Sequence, residues 1–140
     1  MMKFQKVFLA SALVFTSIIG TSVIDTPKVE ASSITAQGTS AHAIKGVGDR
    51  SSNINGAGQY GRVTLVLNDP RGGAFVTVKK VVSWGSDKEV ATYKITNDDI
   101  LNYNTVVTGN VWLEKGELYY IEVSVRNDAS ASASFTNYNY

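Results

Sequence analysis

Leu118-Tyr119-Tyr120-Ile121-Glu122-Val123-Ser124-Val125-Arg126 is the stretch whose pattern decides the fold. Tyr119, Ile121, Val123 and Val125 occupy every second position, with Tyr120, Glu122, Ser124 and Arg126 between them. Successive side chains of an extended chain point to opposite faces, so this spacing predicts a strand with one apolar and one wet face. Helical spacing would scatter the same apolar residues around the axis.

Reading outward, residues 105–113 form a second extended run, and Glu114-Lys115-Gly116-Glu117 lies between the two. Gly116 suits the left-handed position of a short loop, so the runs are expected to pair as a hairpin. Upstream, Val63, Leu65 and Leu67 alternate with Arg62 and Thr64 and stop at Asn68-Asp69-Pro70-Arg71-Gly72-Gly73, a reversal signal. Residues 74–84 predict a strand carrying Phe75, Val76, Val78, Val81 and Val82. Its adjacent Lys79 and Lys80 demand a bulge or a sheet edge. After a turn at residues 85–88, Ala91, Tyr93 and Ile95 share one face of a further strand. Asn97-Asp98-Asp99 interrupts it, and Asp98 or Asp99 is expected to cap one short helical turn holding Ile100 and Leu101.

The chain closes on Ala129, Ala131, Ala133 and Phe135 alternating with Ser130, Ser132, Ser134 and Thr136. This predicts a last strand packed by its neighbours. Small alternating side chains also allow an identical copy to stack on it, so self-association through this strand is the alternative reading. Near the start, residues 39–45 predict a first strand, and the glycine-rich residues 46–61 a long loop. The fold expected is all-β, an antiparallel β-sandwich or jelly-roll-like arrangement of roughly six to seven strands.

The N-terminus carries a different signal. Lys3 and Lys6 precede an apolar run over residues 7–19, and Val29-Glu30-Ala31 follows as a small-residue cleavage site. This is the order of a secretory signal peptide, cut between Ala31 and Ser32. An uncleaved anchor is disfavoured, because Ser11, Thr16, Ser17, Gly20, Thr21 and Ser22 break the run short of a bilayer span. The expected organisation is a signal peptide at 1–31, a Gly/Ser-rich segment with one strand at 32–59, and a sandwich core at 60–140. The mature chain would be secreted and extracellular, and its length and spacing fit a Gram-positive bacterial source.

Charge and cysteine content exclude several classes. The 140 residues carry a formal net charge of +1, and removing residues 1–31 leaves acidic and basic side chains in balance. No nucleic-acid partner and no membrane contact are therefore expected. Without cysteine there is no disulfide, and stability must come from packing.

The run Val111-Trp112-Leu113-Glu114-Lys115-Gly116-Glu117-Leu118-Tyr119-Tyr120-Ile121-Glu122-Val123 resembles the hairpin of bacterial pre-peptidase C-terminal domains. There a leucine, a charged turn with glycine, a tyrosine pair and an alternating strand occur in the same order. The likeness extends weakly to residues 59–65. It implies a jelly-roll-like sandwich with an accessory binding or secretion role, and it carries over no catalytic residue.

The residues themselves argue against an enzyme. His42 is the sole histidine, no thiol exists to join it, and no serine lies in a nucleophile-elbow pattern. One imidazole cannot build a structural zinc site. No cofactor is expected; Asp98 and Asp99, with Asn97 and Asn102, supply the one oxygen-rich set suited to Ca2+. A surplus of aromatics remains: Trp84, Tyr103, Trp112, Tyr120, Tyr138 and Tyr140 do not all fit the inward register. Trp112, Tyr120, Tyr138 and Tyr140 are accordingly the candidate ligand-binding residues, with Trp112 expected across the hairpin from Tyr120. The function expected is a non-catalytic binding module for cell-wall or glycan surfaces. A secreted antimicrobial or membrane-active protein and a self-assembling matrix component are the alternatives.

Overall fold

The structure, a computed structural model, describes residues 35–138; the predicted signal peptide, its Ala31–Ser32 cleavage site and Tyr140 lie outside them. Nine strands and one short helix follow in chain order. They are β1 (Gly38–Ile44), β2 (Asp49–Arg50), β3 (Ile54–Asn55), β4 (Gln59–Asp69), β5 (Ala74–Lys80), β6 (Lys88–Ile95), α1 (Asn97–Leu101), β7 (Val106–Leu113), β8 (Leu118–Val125) and β9 (Ser130–Thr136). They form two antiparallel sheets, ordered β1-β9-β4-β7 and β2-β8-β5-β6, with β3 also paired to β8. The fold is all-β and sandwich-like.

Alternation dictates what lies between the sheets. Ala41, Ala43, Val63, Leu65, Leu67, Val111, Leu113, Ala131, Ala133 and Phe135 from the first sheet join Ala74, Val76, Val78, Ile95, Tyr119, Ile121, Val123 and Val125 from the second in one buried cluster. Each fully buried large aliphatic contributes about 1.5–3 kcal/mol by leaving water. The inward alanines of β1 and β9 share this cluster with larger side chains such as Phe135 of β9 and Ile121 of β8. Tyr93 reaches from β6 toward β7, where its ring occupies the space a side chain at Gly109 would need, and its hydroxyl donates to the Asn110 carbonyl at 3.0 Å.

The predicted hairpin is not one. Runs 106–113 and 118–125 are β7 and β8, which belong to different sheets: β7 pairs with β4, and β8 with β5, β2 and β3. Residues 56–58 wedge between the two arms. Gly56 N–H donates to the Glu117 carbonyl at 2.7 Å and Gly58 N–H to that of Leu113 at 2.9 Å, taking two acceptors that a hairpin would have used. Only glycine fits at 56, because a Cβ there would strike the Glu114 carbonyl and the Tyr119 ring.

The N-terminal segment is also more structured than its composition predicts. β1 is an integral strand of the first sheet, and β2 and β3 run in succession along β8. Between them the buried Ser51 stands in for the ladder: its N–H donates to the Ile121 carbonyl at 2.9 Å, and its Oγ accepts from the Ile121 N–H at 3.0 Å. The sandwich therefore starts at β1 rather than at residue 60. The buried Asn137 ties the ends together, accepting from Gln37 N–H at 2.8 Å and donating to the carbonyls of Thr35 and Asn55.

Three smaller expectations are refined. The irregularity at Lys79 is a register shift against β6, and β5 is an interior strand, not an edge. The helix cap is Thr96, with Asp99 completing a capping box, rather than Asp98 or Asp99 alone. Finally, β9 is hydrogen-bonded to β1 on one side and β4 on the other, so it offers no free edge for self-pairing.

Candidate functional site on the outer face of the first sheet

The two sheets present very different outer faces. On the second, Lys79 pairs with Glu122 at 2.6 Å, Arg50 stacks 3.7 Å above the Tyr120 ring and Arg126 stacks 4.8 Å above Phe75. Charges of both signs interspersed over a strand surface are an ordinary solvated face. On the first sheet, register aligns the outward residues into rows that cross the strands. One row holds Ser40, Ser134, Thr64 and Thr108, a line of hydroxyls over all four strands. The next holds Gly38, Thr136, Arg62 and Asn110, and beyond it Tyr60 stands opposite Trp112. Two formally charged side chains stand among the described outward residues of this sheet: Asp69, which a register shift sets opposite Ser130 and which Arg71 neutralises, and Arg62, which has no ion-pair partner among the described residues.

Tyr60 and Trp112 form an edge-to-face pair, with ring centroids 5.3 Å apart and planes at 77°. They are 55% and 50% exposed, so the pair is held by mutual contact while leaving half its surface to a ligand. Tyr138 follows Thr136, the partner of Arg62, and so comes at the same end of the sheet; its carbonyl accepts from Thr136 Oγ1 at 2.8 Å. Arg62 carries the one buried side-chain nitrogen among the described residues with no hydrogen-bond partner, its Nε.

At the other end of the face, His42 Nδ1 lies 2.9 Å from Ser132 Oγ, and Asn68 Nδ2 donates to the same oxygen at 2.7 Å. A histidine within reach of a serine is the first element of a nucleophilic dyad. Ser132 sits in mid-strand, however, and the flanking strand amides are committed to the ladders with β1 and β4, where they cannot gather around an oxyanion.

Tyr120, expected to be an exposed ring beside Trp112, is in the other sheet and only 3% exposed. Residues 81–87 fold over it: Asp87 accepts from the Tyr120 hydroxyl at 2.8 Å and from Val82 N–H at 3.1 Å. These bonds, the Val82 one first, lower the Asp87 carboxyl below its ordinary value, while burial and then the Asp87 bond raise the Tyr120 phenol. The ring is a structural plug. Trp84 and Tyr103 lie at exposed loop tips, Tyr103 with a left-handed φ of 62°.

Asp98 and Asp99 do not converge on a shared site. Asp99 Oδ2 accepts from both Thr96 N–H, at 2.7 Å, and Thr96 Oγ1, at 2.6 Å, and its carboxyl is lowered by these bonds. The Asn102 amide donates to the Asp98 carbonyl instead of turning an oxygen to a cation. Among the described residues no three acidic, histidine or cysteine side chains cluster as a metal set. Asp98 lines a cleft of about 460 Å³ with Asn97, Arg126 and Asn127, at the end of the sandwich away from Trp112.

Tyr60 was missed by sequence reasoning, although the signal was present: it has the same parity as Arg62 and Thr64, both predicted to face out. Compared with known proteins, the chain matches no protein-family model and no curated protein.

Proposed function

We propose that this chain is a secreted, non-catalytic extracellular protein that binds cell-wall or other glycan surfaces through the outer face of its first sheet. The carrying observation is the half-exposed Tyr60–Trp112 pair beside two rows of hydroxyl, amide and guanidinium side chains, with the apolar Val66, Val106 and Ile44 confined to the far end of the face. Aromatic rings cover the apolar faces of sugars, and neighbouring hydroxyls exchange hydrogen bonds with sugar hydroxyls, a division of labour suited to polysaccharide. A jelly-roll topology is part of the reading. With β2 and β3 counted as one interrupted strand, the strands fall in the order first-eighth-third-sixth over second-seventh-fourth-fifth, and such sandwiches recur in lectin domains. The likeness of residues 111–123 to pre-peptidase C-terminal domains adds an accessory role. Export is supported by the N-terminal pattern and by a compact unit that begins at Ser33, next to the predicted cleavage site.

The test is retention of mature protein on purified sacculi, insoluble polysaccharides and liposomes, comparing wild type with Trp112→Ala and Tyr60→Ala. Retention on wall or glycan, lost at least tenfold in variants that keep the wild-type melting curve, is expected. Retention on liposomes alone would replace this reading with membrane activity, and growing particle size without retention would replace it with assembly. Turnover of any glycan would overturn the non-catalytic reading.

A further inference from the structure

Resting on that reading, we infer that the glycan carries isolated carboxylates and that Arg62 recognises them. The other described arginines are each engaged within the protein: Arg71 pairs with Asp69 at 2.6 Å, and Arg50 and Arg126 lie over the rings of Tyr120 and Phe75. Arg62 has no such partner among the ion pairs of the described residues. It sits between the aromatic pair and the row of hydroxyls, and its Nε is buried with nothing to bond to. A buried donor left without a partner is costly, and since this nitrogen has no surface open to solvent, a ligand would meet the guanidinium at its terminal nitrogens.

The number of charges selects the class of ligand. A polyanion with a charge on every unit is bound through several cations, each neutralising one group. With Asp69 neutralised by Arg71 at the far end, this face offers one unpaired guanidinium, which complements a mostly neutral chain with a carboxylate on some of its sugars. The planar fork of arginine accepts a carboxylate through two parallel bonds. Two residues along a strand span about 6.6 Å, so a sugar stacked at Tyr60 or Trp112 would bring a carboxylate on itself or on the adjoining unit to Arg62.

The experiment uses gellan, which carries a carboxylate on one sugar of each repeat, the same polymer with its carboxyls reduced to alcohols, and alginate, charged on every sugar. Wild-type protein is expected to bind native gellan about tenfold more tightly than the reduced polymer, with a preference that shrinks as salt rises. Arg62→Gln should erase that preference, Arg62→Lys should restore only part of it, and both should keep the Trp112-dependent binding to the reduced polymer. Equal affinity of the wild type for native and reduced gellan overturns the inference while leaving the glycan reading intact. So does tighter binding to alginate than to gellan, and so does a preference that survives in Arg62→Gln. Failure to bind any of the polymers, together with failure on sacculi and the neutral polysaccharides, removes the glycan reading and this inference with it.

Discussion

Tyr120 lies on the side of β8 shared with Glu122 and Ser124, yet it is enclosed, because Asp87 and Arg50 close over it. Tyr120→Phe should lose the bond to Asp87 and cost about 1 kcal/mol, whereas Tyr120→Ala should leave a cavity and cost about 3 kcal/mol, read from urea unfolding. The Asp87 carboxyl is lowered when folded, so folding favours its ionised form. Its contribution is fully present above the ordinary value of 3.8 and is lost as pH falls through the lower folded value. The stability gap between wild type and Asp87→Asn should therefore be widest near neutrality and narrow progressively below about pH 4. A gap that stays constant down to pH 2, or widens, would contradict this assignment. Exposure at single residues was only partly legible in the sequence. Alternation placed Tyr120 and Trp112 correctly away from the core, but whether a loop then covers an outward ring depends on residues 81–87 and 50, distant in the chain.

Among the elements, β8 was the best predicted: Tyr119, Ile121, Val123 and Val125 face the core as their spacing requires. Val123→Asp should abolish cooperative unfolding by burying an unpaired charge, while Ser124→Asp on the opposite face should shift stability by less than about 0.5 kcal/mol. Similar losses in both would mean a different register. The approach of β6 to β7 makes a sharper demand. At Gly109, a methyl group would collide with the Tyr93 ring, so Gly109→Ala should cost about 2 kcal/mol. In the Tyr93→Leu background the same substitution should cost markedly less, a coupling that a double-mutant cycle measures directly. The interior position of β9 makes a demand of its own: Ala131 is fully buried, so Ala131→Lys should unfold the protein.

For the whole molecule, the compact unit begins at Ser33, one residue past the predicted mature N-terminus. Mass spectrometry of protein from culture medium should therefore find Ser32 as the first residue, with recovery of intact Met1 in membranes as the opposing result. Such a cut would spare every strand described, since β1 starts at Gly38. The candidate site is likewise a property of the whole sheet. Tyr60, Arg62 and Trp112 lie far apart in sequence from Ser40 and Ser134, and pairing of β1, β9, β4 and β7 assembles them. The sequence by itself determined that the chain is all-β and which side chains of each strand face inward, because side-chain direction in an extended chain is local and strictly alternating. Only the tertiary structure decided which strands are neighbours, that β7 and β8 part into separate sheets, and which outward residues stand together. Periodicity is the same whichever strand lies alongside, and the choice rests on backbone hydrogen bonds from distant segments such as Gly56 and Gly58, whose donors take the carbonyls a hairpin needed.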